Sequence, residues 1–461
     1  MQSTPVNLSK LTALSPLDGR YASKTGLLRN YLTESALIRY RTVVEISWLK
    51  HLASEKSITG LPDLDNQVIE ELKTIIENFS IEDASQVKTL ESQTNHDVKA
   101  VEYFLRNKLL ESNCLSNDIE AYIHFACTSE DINNLSYALI LSDTRQNVLL
   151  PIMQELIDDL RTIAHEFADI PMLSRTHGQP ASPTTLGKEF ANFVHRFEIQ
   201  LTAFKNINIF GKCNGAVGNF NAHLVAYPNA DWPKISKTFV ESLGLVYTPY
   251  TTQIEPHDWI AEYCHSLIRT NTILLDLCRD LWGYVSLGYF RPRVASGEVG
   301  SSTMPHKVNP IEFENAEGNC GIANSLLGFL AEKLPQSRWQ RDLTDSTVLR
   351  NIAVGIGHTY LAISSCRKGL SKLQADYNSI QTDLENSPEI LAEAVQTVMR
   401  SLGIPDAYEQ LKKLTRGQNI SNDNLSAFIS KLDIPEDIRG RLKALSPSDY
   451  IGIASQLARD I

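Results

Sequence analysis

The longest helical pattern in the chain lies in residues 257–290, which read HDWIAEYCHSLIRTNTILLDLCRDLWGYVSLGYF and contain no proline. A helix of this length would extend ~50 Å, which exceeds the width of a compact domain. Similar periodic blocks occupy residues 131–170, 184–210, 311–334 and 345–377. Because strand-like alternation is scarce elsewhere, these five blocks predict an all-α fold built on an elongated bundle of long helices.

The longest block is apolar around most of the helix circumference, at Ile273, Leu274, Leu277, Trp282 and Val285. A helix that is apolar on several faces must be covered on several faces. We therefore predict that bundles from different subunits pack together in a homo-oligomer.

The block pattern also predicts three domains. Residues 1–125 form a mixed N-terminal domain with loops suited to substrate binding. Residues 126–372 form the central long-helix bundle, which is the expected oligomer core and holds the catalytic loops. Residues 373–461 form a smaller C-terminal helical domain.

Charge and motif content exclude several classes of protein. The formal net charge of −11 argues against sequence-independent nucleic-acid binding, but it allows an anionic small substrate held by local arginines. The seven cysteines are scattered without a C-x-x-C pair, so neither a disulfide framework nor a zinc site is predicted. No phosphate loop, H-E-x-x-H or dinucleotide fingerprint calls for a metal or cofactor. Without a signal peptide or a membrane span, a cytoplasmic location is expected.

Two loops in the N-terminal part present polar groups. The turn SPLDGRY offers Arg20 and Tyr21, either as ligand contacts or as a solvated N-terminal turn. In TNHDVKAVEYF, Asn95, His96 and Asp97 stand at a predicted helix entrance, where Asn95 is the expected N-cap.

The stretch CTSEDINN predicts another helix N-terminus. Thr128 or Ser129 can cap it, and Glu130 and Asp131 are favourable in its first turn. The alternative is that the hydroxyls and free N–H groups of this helix N-terminus bind a carboxylate or phosphate.

The loop SRTHGQPASPTT holds His177 out of helix beside Gly178, Pro180 and Pro183. A lone histidine is usually structural, but a histidine in a rigid polar loop can also act as an acid or base. The residues alone leave both interpretations open.

The stretch GEVGSSTMPHKVNP contains two serines, Ser301 and Ser302, followed by Lys307 and Asn309. Its composition fits either a flexible arm that carries polar groups to a ligand or a surface loop. Further on, SRWQRDLTDSTVLR places Arg338, Arg341, Ser346 and Arg350 close together. These arginines suggest a polyanionic ligand, or they simply pair with nearby aspartates along a helix edge.

Together with Glu314, the stretch GSSTMPHKVNP resembles the G-S-S-x-M-P-x-K-x-N signature of the fumarase/aspartase superfamily. Within it, SPLDGRY, TNHDVKAVEYF, HFACTSEDINN, SRTHGQPASPTT, TPYTTQIEPHD and SRWQRDLTDSTVLR resemble the bacterial adenylosuccinate lyase family. The resemblance extends from about residue 11 to the C-terminus. It implies a homotetramer with sites shared between subunits, and the release of fumarate from adenylosuccinate, giving AMP, and from SAICAR, giving AICAR.

The resemblance also implies roles for single residues. Ser301 would be the general base, His177 the general acid oriented by Glu314, and Lys307 and Asn309 the groups that stabilise the developing aci-carboxylate. The implied substrate-binding residues are Arg20, Tyr21, Asn95, His96, Asp97, Thr128, Ser129, Gln253, Ser302, Arg341, Ser346 and Arg350.

Two rival functions remain at this stage. One is a lyase of the same superfamily that acts on argininosuccinate, malate or aspartate, for which three arginines near the ligand would be surplus. The other is a helical oligomer that keeps the fold without catalysis, against which the intact set of Ser301, His177, Lys307, Asn309 and Glu314 argues.

Overall fold

A computed structural model describes residues 9–293, 304, 307–415 and 422–461 of the chain, and most of these residues are helical. In chain order the α-helices are α1 Arg29–Leu32, α2 Glu34–Ser54, α3 Asn66–Glu77, α4 Ile81–Thr94, α5 Asp97–Glu111, α6 Asn117–Tyr122, α7 Ser129–Thr144, α8 Leu150–Glu166, α9 Leu186–Lys205, α10 Asn221–Ala226, α11 Trp232–Ser242, α12 Asp258–Ser286, α13 Ile311–Lys333, α14 Thr344–Leu349, α15 Ile352–Leu370, α16 Tyr377–Glu385, α17 Ala392–Ser401, α18 Ala407–Thr415, α19 Asn422–Lys431, α20 Glu436–Ala444 and α21 Ala454–Arg459. The prediction of an all-α fold is confirmed.

Short strands pair two by two in the described residues. Antiparallel pairs join β1 Pro171–Thr176 to β2 Gln179–Thr185 and β5 Phe290–Pro292 to β6 Leu373–Ala375, and β3 Phe210–Gly211 lies parallel to β4 Val246–Tyr247. The strands therefore add local pairings to a helical protein and do not form a sheet layer of their own.

The chain divides into two compact units, each made of three segments. The first unit consists of Met1–Ile152, Leu201–Asn271 and Asn319–Leu361, and the second of Met153–Gln200, Thr272–Gly318 and Ala362–Ile461. Five long helices (α8, α9, α12, α13 and α15) contribute residues to both units. The three sequential domains at 1–125, 126–372 and 373–461 stay a prediction.

The longest helix, α12, has 29 residues and is shorter than the apolar block that predicts it. It ends at Ser286 because Gly288, with φ of +78°, turns the chain out of the helix. The apolar pattern then continues into β5, which pairs with β6. A helix and the start of a short strand thus share one uninterrupted apolar run, which periodicity alone cannot separate.

Helices α7 and α8 are continuous through a π-helical turn, Arg145–Leu149. Pro151 therefore lies in the second position of α8, inside this continuous helical segment. Proline lacks the N–H of a regular helical hydrogen bond and its ring crowds the preceding turn. A wider π turn directly before Pro151 accommodates both effects.

The segment around His177 is a β-hairpin and not the irregular loop that its prolines indicate. His177 and Gly178 form the two-residue turn between β1 and β2, with φ of +53° and +75°. Positive φ at both central residues is the requirement of a type I′ turn, which matches the twist of paired strands. The prolines are tolerated because a two-stranded sheet leaves each strand with an open edge.

The second unit has a buried apolar cluster, here called the C-terminal core. Its members come mainly from α16 to α20 and include Leu384, Ile390, Leu391, Val395, Met399, Leu411, Leu425 and Ile429, together with Leu173 of β1. The hairpin that ends in His177 therefore shares a core with the C-terminal helices. In the described part of the chain, no helix is both long enough and apolar enough to cross a membrane.

Candidate active site

A buried arginine organises the polar groups of the first unit. Arg41 lies in α2 with its side chain only 2% exposed, and its Nη2 lies 2.7 Å from Oδ2 of Asp97 at the start of α5. Its Nε donates to Oδ1 of Asn133 in α7 at 2.9 Å. Asp97 also pairs with Arg350, at 3.1 Å, and Arg350 pairs with Glu34 at 3.0 Å. One carboxylate thus joins two guanidinium groups from separate elements.

The same network continues to Arg341 through Asn133 and Glu130. The Asn133 amide nitrogen donates to Oε1 of Glu130 at 2.9 Å. That carboxylate oxygen lies 3.2 Å from Nη2 of Arg341, whose Nη1 lies 2.7 Å from Oδ2 of Asp345. We call the connected set Arg41, Asp97, Asn133, Glu130, Arg341, Asp345 and Arg350 the arginine network.

His257 closes the network on the side of Asp345. Its Nε2 lies 3.5 Å from Oδ2 of Asp345, and its Nδ1 lies 3.7 Å from Oε2 of Glu255. Burial opposes protonation of this imidazole, but the two carboxylates outweigh burial and raise the pKa of His257 to about 9. His257 is therefore a cation at neutral pH. It is the residue before α12, and its φ is +65°.

Charge pairing also decides the state of Asp97. Burial alone would raise the pKa of this carboxyl, but Arg41 and Arg350 lower it below its usual value. Asp97 is thus held ionised at neutral pH, and it keeps both guanidinium groups in place.

Arg341 and Arg350 are the arginines of the network that solvent or a ligand can reach. Their side chains are 20% and 40% exposed, against 2% for Arg41. A guanidinium has five N–H donors in a planar fork, so the two used by each of these arginines leave others for an anion. The arrangement suits a ligand with phosphate or carboxylate groups, and Arg41 serves to hold the network from inside.

Thr128 and Ser129 lie beside the network at the start of α7. Thr128 is the N-cap, and its N–H donates to Oδ2 of Asp131 at 2.8 Å. Asp131 is fully buried and lies 2.9 Å from Nζ of Lys212, which is also fully buried. This buried ion pair fixes the helix N-terminus that carries the two hydroxyls, next to Glu130 of the network.

The remaining predicted binding residues of the first unit are placed unevenly. Gln253 donates its N–H to the carbonyl of Gln340, the residue before Arg341, at 3.2 Å. The N–H of Ser346 donates to Oδ1 of Asp345 at 2.7 Å. Gln253 and Ser346 therefore both lie next to the arginine network. Arg20 instead stacks on Tyr21, 5.9 Å from its ring centre. No ion pair within the described residues joins Arg20 to the network.

The expectation that Asn95 is the N-cap of α5 is wrong. The N-cap is His96, whose Nδ1 accepts the N–H of Lys99 at 3.2 Å. Asn95 has φ of +52° and is the C-cap of the preceding helix α4, a position that favours asparagine among non-glycine residues. The two helices follow each other so closely that one residue ends α4 and the next begins α5.

The second unit holds the predicted acid and its partner. His177 is exposed at the tip of the hairpin, and Glu314 lies in the first turn of α13, where it accepts a hydrogen bond from Nε1 of Trp282 at 3.2 Å. Within the described residues of this unit, no hydrogen bond links Glu314 to His177. Lys307 and Asn309 precede α13, and Lys307 is exposed. Ser301 and Ser302 lie outside the described residues.

The sequence did not single out Arg41, Asn133 or His257 as site residues, and it indicated Glu130 only as a favourable first-turn acid and Asp345 only among the aspartates that could pair with the arginines. Two of them had a usable signal. Arg41 stands in a largely apolar helical stretch, and a buried charge requires a partner. Asp345 follows Arg341 by four residues, which places both on one helix-like face.

Comparisons with known proteins cover nearly the whole chain. Residues 19–323 match the family model described as Lyase, and residues 337–451 match the one described as Adenylosuccinate lyase C-terminal. The adenylosuccinate lyase of Haemophilus influenzae is 54% identical over 456 residues, which cover 99% of this chain and 100% of that protein. The adenylosuccinate lyase of Escherichia coli K12 is 52% identical with the same coverage.

Solved structures with little sequence similarity share the fold. The 3-carboxy-cis,cis-muconate lactonizing enzyme of Pseudomonas putida has a TM-score of 0.74 at 21% identity, covering 94% of this chain and 96% of that one. A fumarate lyase of Mesorhizobium has a TM-score of 0.73 at 17% identity, covering 94% and 97%. The fold is thus that of the fumarase/aspartase superfamily, and, at more than half identity over its full length, the chain belongs to the adenylosuccinate lyase family.

Proposed function

We propose that this protein cleaves adenylosuccinate to AMP and fumarate, and SAICAR to AICAR and fumarate, by β-elimination across a carbon–nitrogen bond. The observation that supports this choice best is the arginine network. It presents two partly exposed guanidinium groups beside the start of α7, which suits substrates that carry a phosphate and a succinyl group. A substrate without phosphate would use fewer of the N–H donors that these two arginines keep free.

The proposed reaction begins at the carbon next to a carboxylate. Ser301 removes a proton from it, and the electron pair moves into the carboxylate to give an aci-carboxylate. Lys307 and Asn309 stabilise that charge, because a fixed cation and an amide donor lower the energy of a developing oxyanion. A serine performs this role only when its alkoxide is stabilised by desolvation and nearby donors.

The second step breaks the carbon–nitrogen bond. The electron pair of the aci-carboxylate forms the double bond of fumarate, and the leaving nitrogen takes a proton from His177. The position of His177 supports this role. It is exposed at a rigid hairpin tip, and among the described residues neither of its ring nitrogens has a hydrogen-bond partner. Its ring is therefore available to a substrate and to the orienting carboxylate proposed for Glu314.

We further propose a homotetramer in which sites are shared between subunits. Exposed apolar side chains on the long helices, including Trp282 at 50% and Phe329 at 54%, favour burial against other copies. Among the described residues, Glu314 accepts a hydrogen bond from Trp282 and none from His177, and we propose that the His177 that it orients belongs to another copy. A cytoplasmic location is proposed together with this activity.

The substrate is tested by following fumarate release from adenylosuccinate, SAICAR, argininosuccinate, malate and aspartate. We expect turnover of the first two. Release from argininosuccinate but not adenylosuccinate would assign a different lyase activity, and no release from any of the five substrates would support a non-catalytic oligomer.

The choice between the two serines is tested by Ser301→Ala and Ser302→Ala. We expect Ser301→Ala to lower kcat by about 100-fold or more, as loss of a positioned base does. Ser302→Ala should retain much more activity. A larger loss of kcat for Ser302→Ala than for Ser301→Ala would indicate that Ser302 is the base.

A further inference from the structure

The hairpin that ends in His177 is anchored in the C-terminal helices by its apolar residues. Leu173 of β1 is 1% exposed and belongs to the C-terminal core, together with Leu384 of α16 and Leu391 just before α17. The hairpin itself falls within the segment 19–323 that matches the general lyase model, and these helices fall within the adenylosuccinate-lyase-specific segment 337–451. The two matched segments therefore meet at this hairpin.

A charged link joins the first strand to α16. Arg175 lies two residues before His177, and its guanidinium donates to Oδ2 of Asp383. The same oxygen accepts a hydrogen bond from the hydroxyl of Tyr289, a residue that is only 1% exposed. The Arg175 and Asp383 side chains are 29% and 32% exposed, so the pair is partly shielded from solvent. A buried phenol thus fixes the carboxylate that holds the strand.

A second link joins the other strand to α17. Ser182 lies five residues after His177, and its hydroxyl donates to Oε2 of Glu393. That oxygen also accepts the hydroxyl of Tyr450, at 3.1 Å. Each strand of the hairpin is therefore tied to one acidic residue of the C-terminal helices, and each acid is held in turn by a tyrosine.

Because of these two links, the position of the strands fixes the position of His177. A two-residue turn with positive φ at both positions leaves the tip little freedom once its strands are fixed. We propose that Asp383 and Glu393 are positioning residues for the reaction, which hold the hairpin through Arg175 and Ser182 and so orient the His177 ring. The proposal depends on the acid role proposed for His177, and it assigns a catalytic purpose to the family-specific C-terminal segment.

The first test is Asp383→Ala in the full-length protein. We expect kcat to fall by about 10- to 100-fold, since small misplacement of a catalytic group costs factors of this size. KM should change by less than about 2-fold, because the proposed binding groups lie elsewhere in the chain. The matched control is Glu385→Ala on the same helix, which removes only an exposed bond from Gln381 and should leave kcat unchanged.

A double-mutant cycle separates positioning from general support of the structure. If Asp383 acts through His177, Asp383→Ala should change kcat by less than about 2-fold when His177→Ala is already present. An equal loss of kcat in both backgrounds, or no loss in the parent, would overturn the proposal. A His177→Ala variant with parental turnover would instead overturn the acid role itself, so the two failures are distinguishable.

Two further variants keep the test informative if Asp383→Ala folds poorly. Ser182→Ala breaks the second link because it removes one hydroxyl group. It should lower kcat by about 3- to 10-fold. The exchange pair Arg175→Asp with Asp383→Arg should recover part of the turnover that Arg175→Asp alone loses. No recovery, together with an unchanged kcat for Ser182→Ala, would overturn the proposal.

Discussion

The arginine network of the first unit and the His177 hairpin of the second hold their polar groups in opposite ways. In the network, Arg41 is buried and every charged member has a partner of opposite charge. At the hairpin tip, His177 is exposed, and the strands behind it make the contacts. The proposed binding groups are thus held by direct ion pairs, whereas the proposed acid is held through contacts made by its strands, and its own ring has no hydrogen-bond partner among the described residues.

This contrast predicts that changes to the buried charges of the first unit chiefly affect folding stability, that changes at the hairpin chiefly affect turnover, and that changes at the exposed edge of the network chiefly affect substrate binding. A charge that is buried with its partner leaves an uncompensated charge when the partner is removed. An exposed side chain leaves none. Four substitutions, taken in order of decreasing effect, can contradict or refine this contrast.

The largest effect is expected for Lys212→Met. It would leave the Asp131 carboxylate without its cation at a position that is fully buried. We expect the free energy of unfolding to fall by about 4 kcal/mol, measured by urea unfolding at equal protein concentration. Lys205→Met, at an exposed position, is the control and should change it by less than about 0.5 kcal/mol. A loss below about 1 kcal/mol for Lys212→Met would contradict the buried pair.

His257 should make stability depend on pH. Folding raises its pKa from 6.5 to about 9, so the stabilisation is complete below about pH 6.5 and is lost as the pH rises through about 9. The free energy of unfolding should fall by about 3 kcal/mol over this pH range. Urea unfolding at pH 6.5 and pH 9.5 measures it, and His257→Gln is the control that should remove most of the difference. An equal difference in both proteins would place its origin elsewhere.

His177→Ala should lower kcat by about 100-fold, which corresponds to about 2.7 kcal/mol of transition-state stabilisation. The free energy of unfolding should change by less than about 1 kcal/mol because the residue is exposed. Steady-state fumarate release measures kcat, and urea unfolding of the same preparation measures the free energy of unfolding. His165→Ala, exposed on α8, should leave kcat within about 2-fold. A destabilised His177→Ala variant with parental kcat would reverse the contrast.

The smallest effect is expected for Arg350→Ala, at the exposed edge of the network. It should raise KM for adenylosuccinate by about 10-fold, or about 1.4 kcal/mol, if this arginine binds a substrate anion. Stability should fall by less than about 1 kcal/mol, as for other exposed pairs. Arg106→Ala, which breaks an exposed pair with Glu120, controls for charge and should leave KM unchanged. An unchanged KM for Arg350→Ala would remove it from the binding set.

Much of the secondary structure could be predicted from periodicity, because the apolar face of a long helix appears as a regular repeat of apolar residues along the sequence. The five blocks correspond to α7 with α8, α9, α12, α13 and α14 with α15. Their ends could not be predicted so well. The apolar run that includes Tyr289 and Phe290 leaves α12 and enters β5, and only its pairing with β6 decides where the helix stops.

The candidate site divides in the same manner. Asp97, Arg341 and Arg350 stand in stretches whose composition and family resemblance single them out, because charged groups concentrated in loops and at helix ends indicate ligand contacts. Asn133 and His257 stand in two further stretches of this kind, CTSEDINN and TPYTTQIEPHD, but nothing within those stretches marks them, and Arg41 lies outside all of them. Each of the three contacts a partner that is distant in sequence. The charge state of His257 likewise follows from two carboxylates brought near it by folding.

The helical fold, the family and the set of polar loops can be inferred from the chain without its coordinates, because periodicity and motifs depend on neighbouring residues. The pairing of charges becomes visible in the folded protein, where Arg41 joins Asp97 to Asn133 and where Asp383 and Glu393 contact the strands on either side of His177. Ion pairs and hydrogen bonds depend on distances of a few ångströms between residues far apart in the chain, and those distances exist only once the helices have packed.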